Sequence, residues 1–323
     1  MSQALQPFSE TLRLAKPHRR SVLAGLGATA LATMAGPQRL YAATAPVSHK
    51  IGAIEIMMFS DGVLNVPLSF SLPDTPAAES AALFKAHGMA PGGEPMQTNV
   101  VLVKTGKEVV LIDAGSGPNF QPTAGKLQED LEAAGISPEA ITKVVFTHAH
   151  ADHLWGVIDD FGDAPRFPNS SYVMASDEWD FWKNPNTAET VPDWLKGMAR
   201  GTARILATIE NKLERRKAGD SVAPGLSYMA TPGHTPGHVS VLVEDGGQRL
   251  VIGGDVLANN AVSFARPDWL IGSDFDKQRA VATRKSLLDQ LTTDKMPLVG
   301  FHLAWPGLGM VERNGGAYRL VSL

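Results

Sequence analysis

The sequence predicts a protein of the α+β class, in which strands and helices alternate along one domain. One observation is the recurrence of short apolar runs, which are typical of buried strands. A second is that His and Asp residues follow the ends of several of these runs. The 323 residues would allow two domains. A single domain is favoured, because these His and Asp residues follow strands from both halves of the chain and are expected to form one site.

The predicted elements can be taken in chain order. In the first half, strands are predicted over residues 53–59, 98–104, 108–112 and 170–174, and helices over residues 77–87, 122–134, 177–183 and 193–216. In the second half, strands are predicted over residues 226–230, 239–244, 249–252, 297–301, 309–312 and 318–321, and a helix over residues 276–291. Leu127 and Leu131 share one face of their helix, which Gly135 ends, and Asp276 is the expected N-cap of the last helix.

A dense group of metal-ligand candidates follows the apolar run at residues 143–146. His148, His150 and Asp152 stand at alternate positions, so in an extended segment their side chains point the same way and can converge. His153 is adjacent and would face a second ion. One such residue alone is more often a core or surface residue. Burying the whole group without a metal would leave several polar groups unpaired.

Three further candidates each follow a predicted strand. They are His234, Asp255 and His302. Imidazole nitrogens and carboxylate oxygens are ligands that zinc and similar first-row metals accept. The seven residues together therefore predict a site for two metal ions. His238 is expected to form hydrogen bonds behind the ligands or to pack at a strand start rather than to bind metal.

This ordered pattern resembles the metallo-β-lactamase superfamily from about residue 51 to residue 323. The resemblance implies a four-layer αββα sandwich. It also implies that His148, His150 and His234 bind the first metal, that Asp152, His153 and His302 bind the second, and that Asp255 bridges both. Two divalent ions per chain are expected, with zinc as the default and iron, manganese or cobalt as alternatives.

Within the superfamily, the chain looks most like methyl parathion hydrolase and its lactonase and aryl-esterase relatives. Phe59-Ser60-Asp61-Gly62 and the segment from His302 to Gly309 are among the motifs that carry this likeness. It implies that Phe120 and Trp182 are aromatic walls of the substrate pocket. Leu195 falls at another wall position, which is aromatic in that hydrolase.

The first 45 residues have the order of a signal peptide. Basic residues including Arg19 and Arg20 precede an apolar run that starts at Val22, and Ala-rich sequence follows. The pair resembles a twin-arginine signal, so we expect residues 1–45 to be removed and residues 46–323 to form a periplasmic or secreted domain. An uncleaved membrane anchor is the alternative, but the run is short of the roughly 20 residues that a span needs.

These features predict an exported binuclear hydrolase that attacks lactones, aryl esters or organophosphate triesters with a metal-bridging hydroxide. Asp152 would orient the nucleophile and Asp255 would hold the metal pair together. A β-lactamase is disfavoured because β-lactamases of this fold commonly have Cys or Ser near Asp255, and the chain has no Cys. A metal-binding protein that has lost catalysis is disfavoured because all seven ligands are present. Glyoxalase II-like thioester hydrolysis is weaker, since no basic glutathione site is visible.

The expected partner is a small-molecule substrate, and a homodimer is left open. Nucleic acid is not expected, because the net charge is −4 and the body of the chain has no Lys/Arg block. The Pro/Gly-rich segment at residues 67–95 is either a flap over the site or an ordinary surface loop.

Overall fold

The computed structural model describes residues 44–159, 161 and 164–323. The predicted signal segment, with Arg19 and Arg20, lies outside the described residues except for Thr44 and Ala45. Within the described ranges, no helix is long and apolar enough to cross a membrane. The domain boundary at residue 45 stays a prediction.

Seven strands form the first sheet, and each pairs with the next one along the chain. They are β1 (Val47–Ile51), β2 (Ile54–Leu64), β3 (Met96–Thr105), β4 (Glu108–Ile112), β5 (Lys143–Val145), β6 (Ser171–Ala175) and β7 (Leu213–Arg216). The pairs from β1 to β4 are antiparallel, and those from β4 to β7 are parallel. The loops that follow the parallel strands therefore all leave from the end of the sheet where these strands have their C-termini.

Seven further strands form the second sheet. They are β8 (Ser221–Ala223), β9 (Leu226–Ala230), β10 (Val239–Asp245), β11 (Gln248–Ile252), β12 (Pro297–Val299), β13 (Leu308–Asn314) and β14 (Ala317–Ser322). Their spatial order follows the chain from β8 to β14. Only the pair of β11 and β12 is parallel among these strands.

Helices connect and cover the strands. The α-helices of the described chain are α1 (Leu68–Ser71), α2 (Ala77–Ala86), α3 (Leu127–Ala133), α4 (Ala151–Leu154), α5 (Ser176–Lys183), α6 (Thr187–Thr190), α7 (Asp193–Ile209), α8 (Val262–Ala265) and α9 (Lys277–Asp294). As predicted, the Asp276 side chain caps α9 by accepting a hydrogen bond from the backbone N–H of Arg279 at 3.0 Å.

Apolar packing on both faces of the sheets gives the four layers. Along β3, Val101 and Val103 belong to the core between the two sheets, whereas Val100 and Leu102 belong to the core beneath α3, α5 and α7, because successive strand residues face opposite sides. On the outer face of the second sheet, Leu288 and other residues of α9 pack against β11 and β12. The predicted αββα sandwich is confirmed.

The differences from the predicted elements lie mainly at sheet edges. Strands β1, β7 and β8, none of which was predicted, each have a neighbour on one side only. Strand β7 is Leu-Glu-Arg-Arg and takes the place of the end of the predicted helix at residues 193–216. Edge strands are short and often charged, so they lack the apolar run that reveals a buried strand. Helix α3 begins at Leu127 rather than at residue 122, after a turn in which Gly125 has a φ of 77°.

Candidate metal centre

The seven candidate ligands converge just past the ends of four strands, and we call them the ligand cluster. They are His148 and His150, after β5; Asp152 and His153, on α4; His234, after β9; Asp255, in a 3₁₀ turn after β11; and His302, after β12. None is more than 6% exposed. Buried titratable groups at this density need partners that compensate their desolvation.

The first group of the ligand cluster contains His148, His150, His234 and Asp255. His150 Nδ1 lies 3.0 Å from His148 Nε2 and 2.9 Å from His234 Nε2. Asp255 Oδ2 lies 3.2 Å from His234 Nε2 and 3.8 Å from His148 Nε2. Four ligand atoms bound tetrahedrally to one ion by bonds of about 2.0–2.1 Å are roughly 3.3 Å apart. This group therefore has the spacing that one cation requires.

The second group contains Asp152, His153, Asp255 and His302. Asp255 Oδ1 lies 3.1 Å from His153 Nε2, and Asp255 Oδ2 lies 3.1 Å from His302 Nε2. Asp152 Oδ2 lies 3.3 Å from His302 Nε2 and 3.5 Å from His153 Nε2. The spacing again suits one cation, and Asp255 belongs to both groups.

Two buried atoms between the groups test whether metal fits. His153 Nε2 and Asp255 Oδ1 lie 3.1 Å apart but not in hydrogen-bonding geometry, so neither has a hydrogen-bond partner, and an unpaired buried polar atom costs about 1–3 kcal/mol. A cation held by the second group would satisfy both atoms. The imidazole and carboxylate donors are those that zinc and related divalent metals accept. The residues present therefore fit two divalent cations that share Asp255.

The local backbone differs from the extended segment that the sequence suggested. His148 and His150 do lie in a loop, but Asp152 and His153 lie on the short helix α4. On α4, Asp152 lies with His153 in the second group. The expectation that His148, His150 and Asp152 converge as one alternating set was wrong.

Buried groups hold the outer nitrogens of the histidines. His153 Nδ1 lies 2.8 Å from Asp113 Oδ2, and Asp113 also accepts hydrogen bonds from the backbone N–H and hydroxyl of Thr147, both at 2.8 Å. The Thr147 hydroxyl in turn lies 3.1 Å from His148 Nδ1. Such contacts fix the ring orientation and tautomer of a ligand histidine.

On the second sheet the supports are different. His234 Nδ1 lies 3.0 Å from Asp274 Oδ1, and Asp274 is paired with the buried guanidinium of Arg284 at 2.9 Å. His302 Nδ1 lies 2.8 Å from the backbone carbonyl of Gln97. His238 Nε2 accepts the backbone N–H of Asp255 at 3.0 Å, which confirms its expected place behind the ligands.

A further buried carboxylate, Glu178 on α5, holds two of the loops that carry the ligands. Its oxygens accept hydrogen bonds from Ala149 in the loop of His148 and His150, and from Thr235 and Gly237 in the loop of His234. Burial raises the pKa of the Glu178 carboxyl, and these donors oppose that shift.

The proton affinities of the histidines follow from burial and neighbouring charge. Burial, with repulsion from neighbouring histidines, holds the pKa values of His148 and His150 well below 6.5. Burial also disfavours charge on His234 and His302, but nearby carboxylates, above all Asp255, raise their pKa values to about 9 and about 10. A divalent cation would take the place of these protons, so metal binding would be coupled to proton release.

A cavity of about 380 Å³ opens onto the ligand cluster. His150, Asp152, His234, Asp255 and His302 border it. The apolar part of its lining, which we call the cavity wall, consists of Leu64, Val66, Pro67, Leu68, Phe70, Leu72, Phe84, Met96, Phe120, Trp194, Met198, Ala258, Val262 and Ile271. The segment at residues 67–95, folded in part as α1 and α2, supplies five of these residues, from Pro67 to Phe84. Whether it moves as a flap stays a prediction.

The three predicted pocket residues are placed differently by the structure. Phe120 lines the cavity. Trp182 does not, because its side chain is buried behind His150, with the two ring centroids 5.7 Å apart, and its Nε1 donates to Glu178 at 2.6 Å. Leu195 is 2% exposed and packs in the core beneath α7. The predicted wall positions of Trp182 and Leu195 are therefore corrected.

The adjacent residue Trp194 lies at the wall position expected near Leu195. Its ring centroid is 6.4 Å from that of His150 and 5.0 Å from that of Phe70. One residue of helix register separates the core face from the cavity face. Sequence reasoning also missed Asp113, although it follows β4 as Asp255 follows β11; Glu178 and Asp274 offered no comparable signal.

The comparisons with known proteins agree with this geometry. The family model of the metallo-beta-lactamase superfamily matches residues 93–302. The probable metallo-hydrolase YqjP of Bacillus subtilis (strain 168) is 32% identical over 177 residues, which are 51% of this chain and 54% of that protein. An N-acyl homoserine lactonase of Bacillus sp. is 27% identical over 175 residues, 53% of this chain and 59% of that protein. The chain thus spans little more than half the length of these curated relatives.

Two solved structures match nearly the whole fold. AidC, a dizinc quorum-quenching lactonase in complex with the product N-hexnoyl-L-homoserine, has a TM-score of 0.81 and 30% identity, and the match covers 86% of this chain and 97% of that one. The hydrolase AbOPH of the beta lactamase superfamily also has a TM-score of 0.81, with 27% identity over 88% of this chain and 99% of that one.

Proposed function

The chain belongs to the metallo-beta-lactamase superfamily, and from that premise we propose that it is a binuclear metal-dependent hydrolase whose preferred substrates are neutral lactones or aryl esters. The observation that carries the proposal is the ligand cluster, in which two groups of buried ligands share Asp255 beside an apolar cavity. Organophosphate triesters are proposed as weaker substrates. It is also part of this proposal that the chain resembles methyl parathion hydrolase more than it resembles other branches of the superfamily.

In this proposal the chain's own residues prepare the reaction. His148, His150, His234 and Asp255 would hold one cation, and Asp152, His153, His302 and Asp255 would hold the other. Two divalent cations, zinc by default, would supply Lewis-acid chemistry that polarises the substrate and activates water. Asp152 borders the cavity, so its carboxylate can orient the attacking water.

The cavity wall supports the choice of substrate class. A volume of about 380 Å³ lies within the range of about 300–1,000 Å³ that is common for small-molecule sites. The aromatic side chains of Phe70, Phe120 and Trp194 offer flat apolar contact surface to an acyl or aryl group. The lactonases among the similar proteins favour lactones within this class.

A hydrolysis panel on metal-analysed protein tests this function. We expect N-acyl homoserine lactones or aryl acetates to give the highest kcat/KM, followed by phosphotriesters, with penicillins slowest. A preference for penicillins would contradict the proposed substrate class. Full turnover by protein that contains only trace metal would contradict the metal-dependent reaction itself.

We also propose export by the twin-arginine route, on the basis of the sequence of residues 1–45. Replacing Arg19 and Arg20 together by Lys should stop export and leave folded, active enzyme in the cytoplasm. Cell fractionation measures this, with the unaltered chain as control. Normal periplasmic accumulation of the double variant would contradict the route.

A further inference from the structure

Glu178 is a fully buried carboxylate that no part of the proposed reaction uses. It lies in the first turn of α5 and is 0% exposed. Its Oε1 accepts hydrogen bonds from the backbone N–H of Ala149 at 2.9 Å and from Trp182 Nε1 at 2.6 Å. Its Oε2 accepts the Thr235 hydroxyl at 2.6 Å and the backbone N–H of Gly237 at 3.1 Å. These four donors occupy the acceptor capacity of one ionised carboxylate.

The donors join parts of the chain that are otherwise far apart in sequence. Ala149 separates His148 from His150 after β5 of the first sheet, whereas Thr235 and Gly237 follow His234 after β9 of the second sheet. His150 Nδ1 and His234 Nε2 are 2.9 Å apart. One carboxylate therefore ties together the two loops whose histidines must meet at the same cation.

Close packing makes this link rigid. A Cβ added to Gly237 would lie 2.0 Å from the backbone nitrogen of Glu178, so the loop of His234 rests directly on the first turn of α5. One turn later, Trp182 places its ring against that of His150. None of these hydrogen bonds of Glu178 involves Asp152, His153 or His302. His153 is held by Asp113, and His302 by the Gln97 carbonyl.

We propose that Glu178 is a positioning residue that sets the distance between His150 and His234 and so determines the affinity of the first group for its cation. The proposal rests on the metal assignment made above. It predicts a selective effect: loss of the carboxylate weakens the first group and leaves the second group nearly unchanged. A purely structural buried residue would weaken both groups or neither.

Zinc titration in two backgrounds separates these outcomes. His302→Ala retains the first group's four ligands, and His234→Ala retains the second group's four. Adding Glu178→Gln should raise the zinc dissociation constant at least about tenfold in the His302→Ala background and less than about threefold in the His234→Ala background. A chromophoric chelator in competition for Zn²⁺ measures both constants without any substrate.

Asp61 offers a matched control. It is also a buried carboxylate with four hydrogen-bond donors, from Ser116, Gly125 and Leu127, but none of them lies in a ligand loop. Asp61→Asn should therefore leave both zinc constants within about threefold. Equal effects of Glu178→Gln in the two backgrounds, or no effect in either, would overturn the proposal while leaving the metal site intact.

Two further results keep the test decisive. If Glu178→Gln does not fold, Thr235→Val removes only one donor to the carboxylate and should still weaken the first group by a factor of about three or more, without changing the second. No change would overturn the proposal. If the parent protein binds no Zn²⁺, the metal assignment fails and this inference fails with it.

Discussion

The ligand cluster and the cavity wall meet at one surface but are built in different ways. Every residue of the ligand cluster is at most 6% exposed and lies just past a core strand or on the helix that follows one. The cavity wall comes mainly from loops and helices, with Leu64 and Met96 at the ends of β2 and β3, and its Trp194 is 41% exposed. Few substitutions in the ligand cluster would keep its ability to bind metal, whereas residues of the cavity wall can be substituted one at a time. We infer that the reaction is fixed by the ligand cluster and that substrate preference is set by the cavity wall.

The largest expected effect is that of Asp255→Ala. This change removes the carboxylate shared by both groups, so kcat on the best lactone should fall by more than about 100-fold. That exceeds the usual loss when a residue that only hydrogen-bonds to a metal ligand is replaced. The affinity of the first group for its metal should fall less than turnover does, because the three histidines of that group remain. Turnover and metal content of the purified variant measure the two effects.

The control for this change is the exposed Asp268. Asp268→Ala should keep the activity and metal content of the parent protein. Unchanged turnover in Asp255→Ala would show that the bridge has been assigned to the wrong residue.

Removing one outer ligand at a time should lower metal content by about half. His302→Ala and His234→Ala each remove a histidine from one group, and the ligands left in that group include Asp255, which the intact group also uses. We therefore expect about one tightly bound ion in each variant instead of two. Elemental analysis after gel filtration measures the content. Retention of two ions by both variants would contradict the division into two groups.

The contrast between the regions also explains what the sequence could reveal. His148, His150, His234, Asp255 and His302 were predictable because a polar ligand directly after an apolar strand is a local pattern. The hydrogen bonds by which Glu178 links the two ligand loops were not predictable. Their donors come from residues 149 and 235–237, and only the tertiary fold brings these residues together. The edge strands were missed for a related reason, since their stability comes from pairing rather than from an apolar run.

The same limit applies to the cavity wall, where an error of one residue changes the face of a helix. Leu195 was expected to border the substrate, but it packs in the core while Trp194 borders the cavity. Asp193 opens α7, and an apolar pair at its second and third positions does not reveal which member faces inward. The register becomes visible only over the whole helix, where Leu195 begins the buried face that recurs every three or four residues to Ile209.

Trp194→Ala should therefore change selectivity and leave the chemistry intact. Loss of the indole face should raise KM for long-chain acyl lactones and aryl esters by about tenfold, with little change in kcat. A small aliphatic lactone that does not reach the wall should keep its KM. Leu195→Ala is the contrasting variant, because it should lower the melting temperature without changing relative KM values. Equal effects of Trp194→Ala on large and small substrates would place this residue outside the substrate contact.

The smallest effect is expected for Phe120→Leu. The Phe120 ring borders the cavity and packs edge-on against Trp155, with the ring centroids 5.8 Å apart. Leucine keeps most of the apolar volume but loses the flat face, so only substrates that stack on the ring should be affected. We expect KM for aryl esters to rise by about two- to threefold and KM for aliphatic acyl lactones to stay the same. If the variant instead lowers the melting temperature and changes both substrate classes alike, Phe120 serves mainly to hold Trp155, and the aromatic selectivity of the cavity wall rests on Trp194 and Phe70.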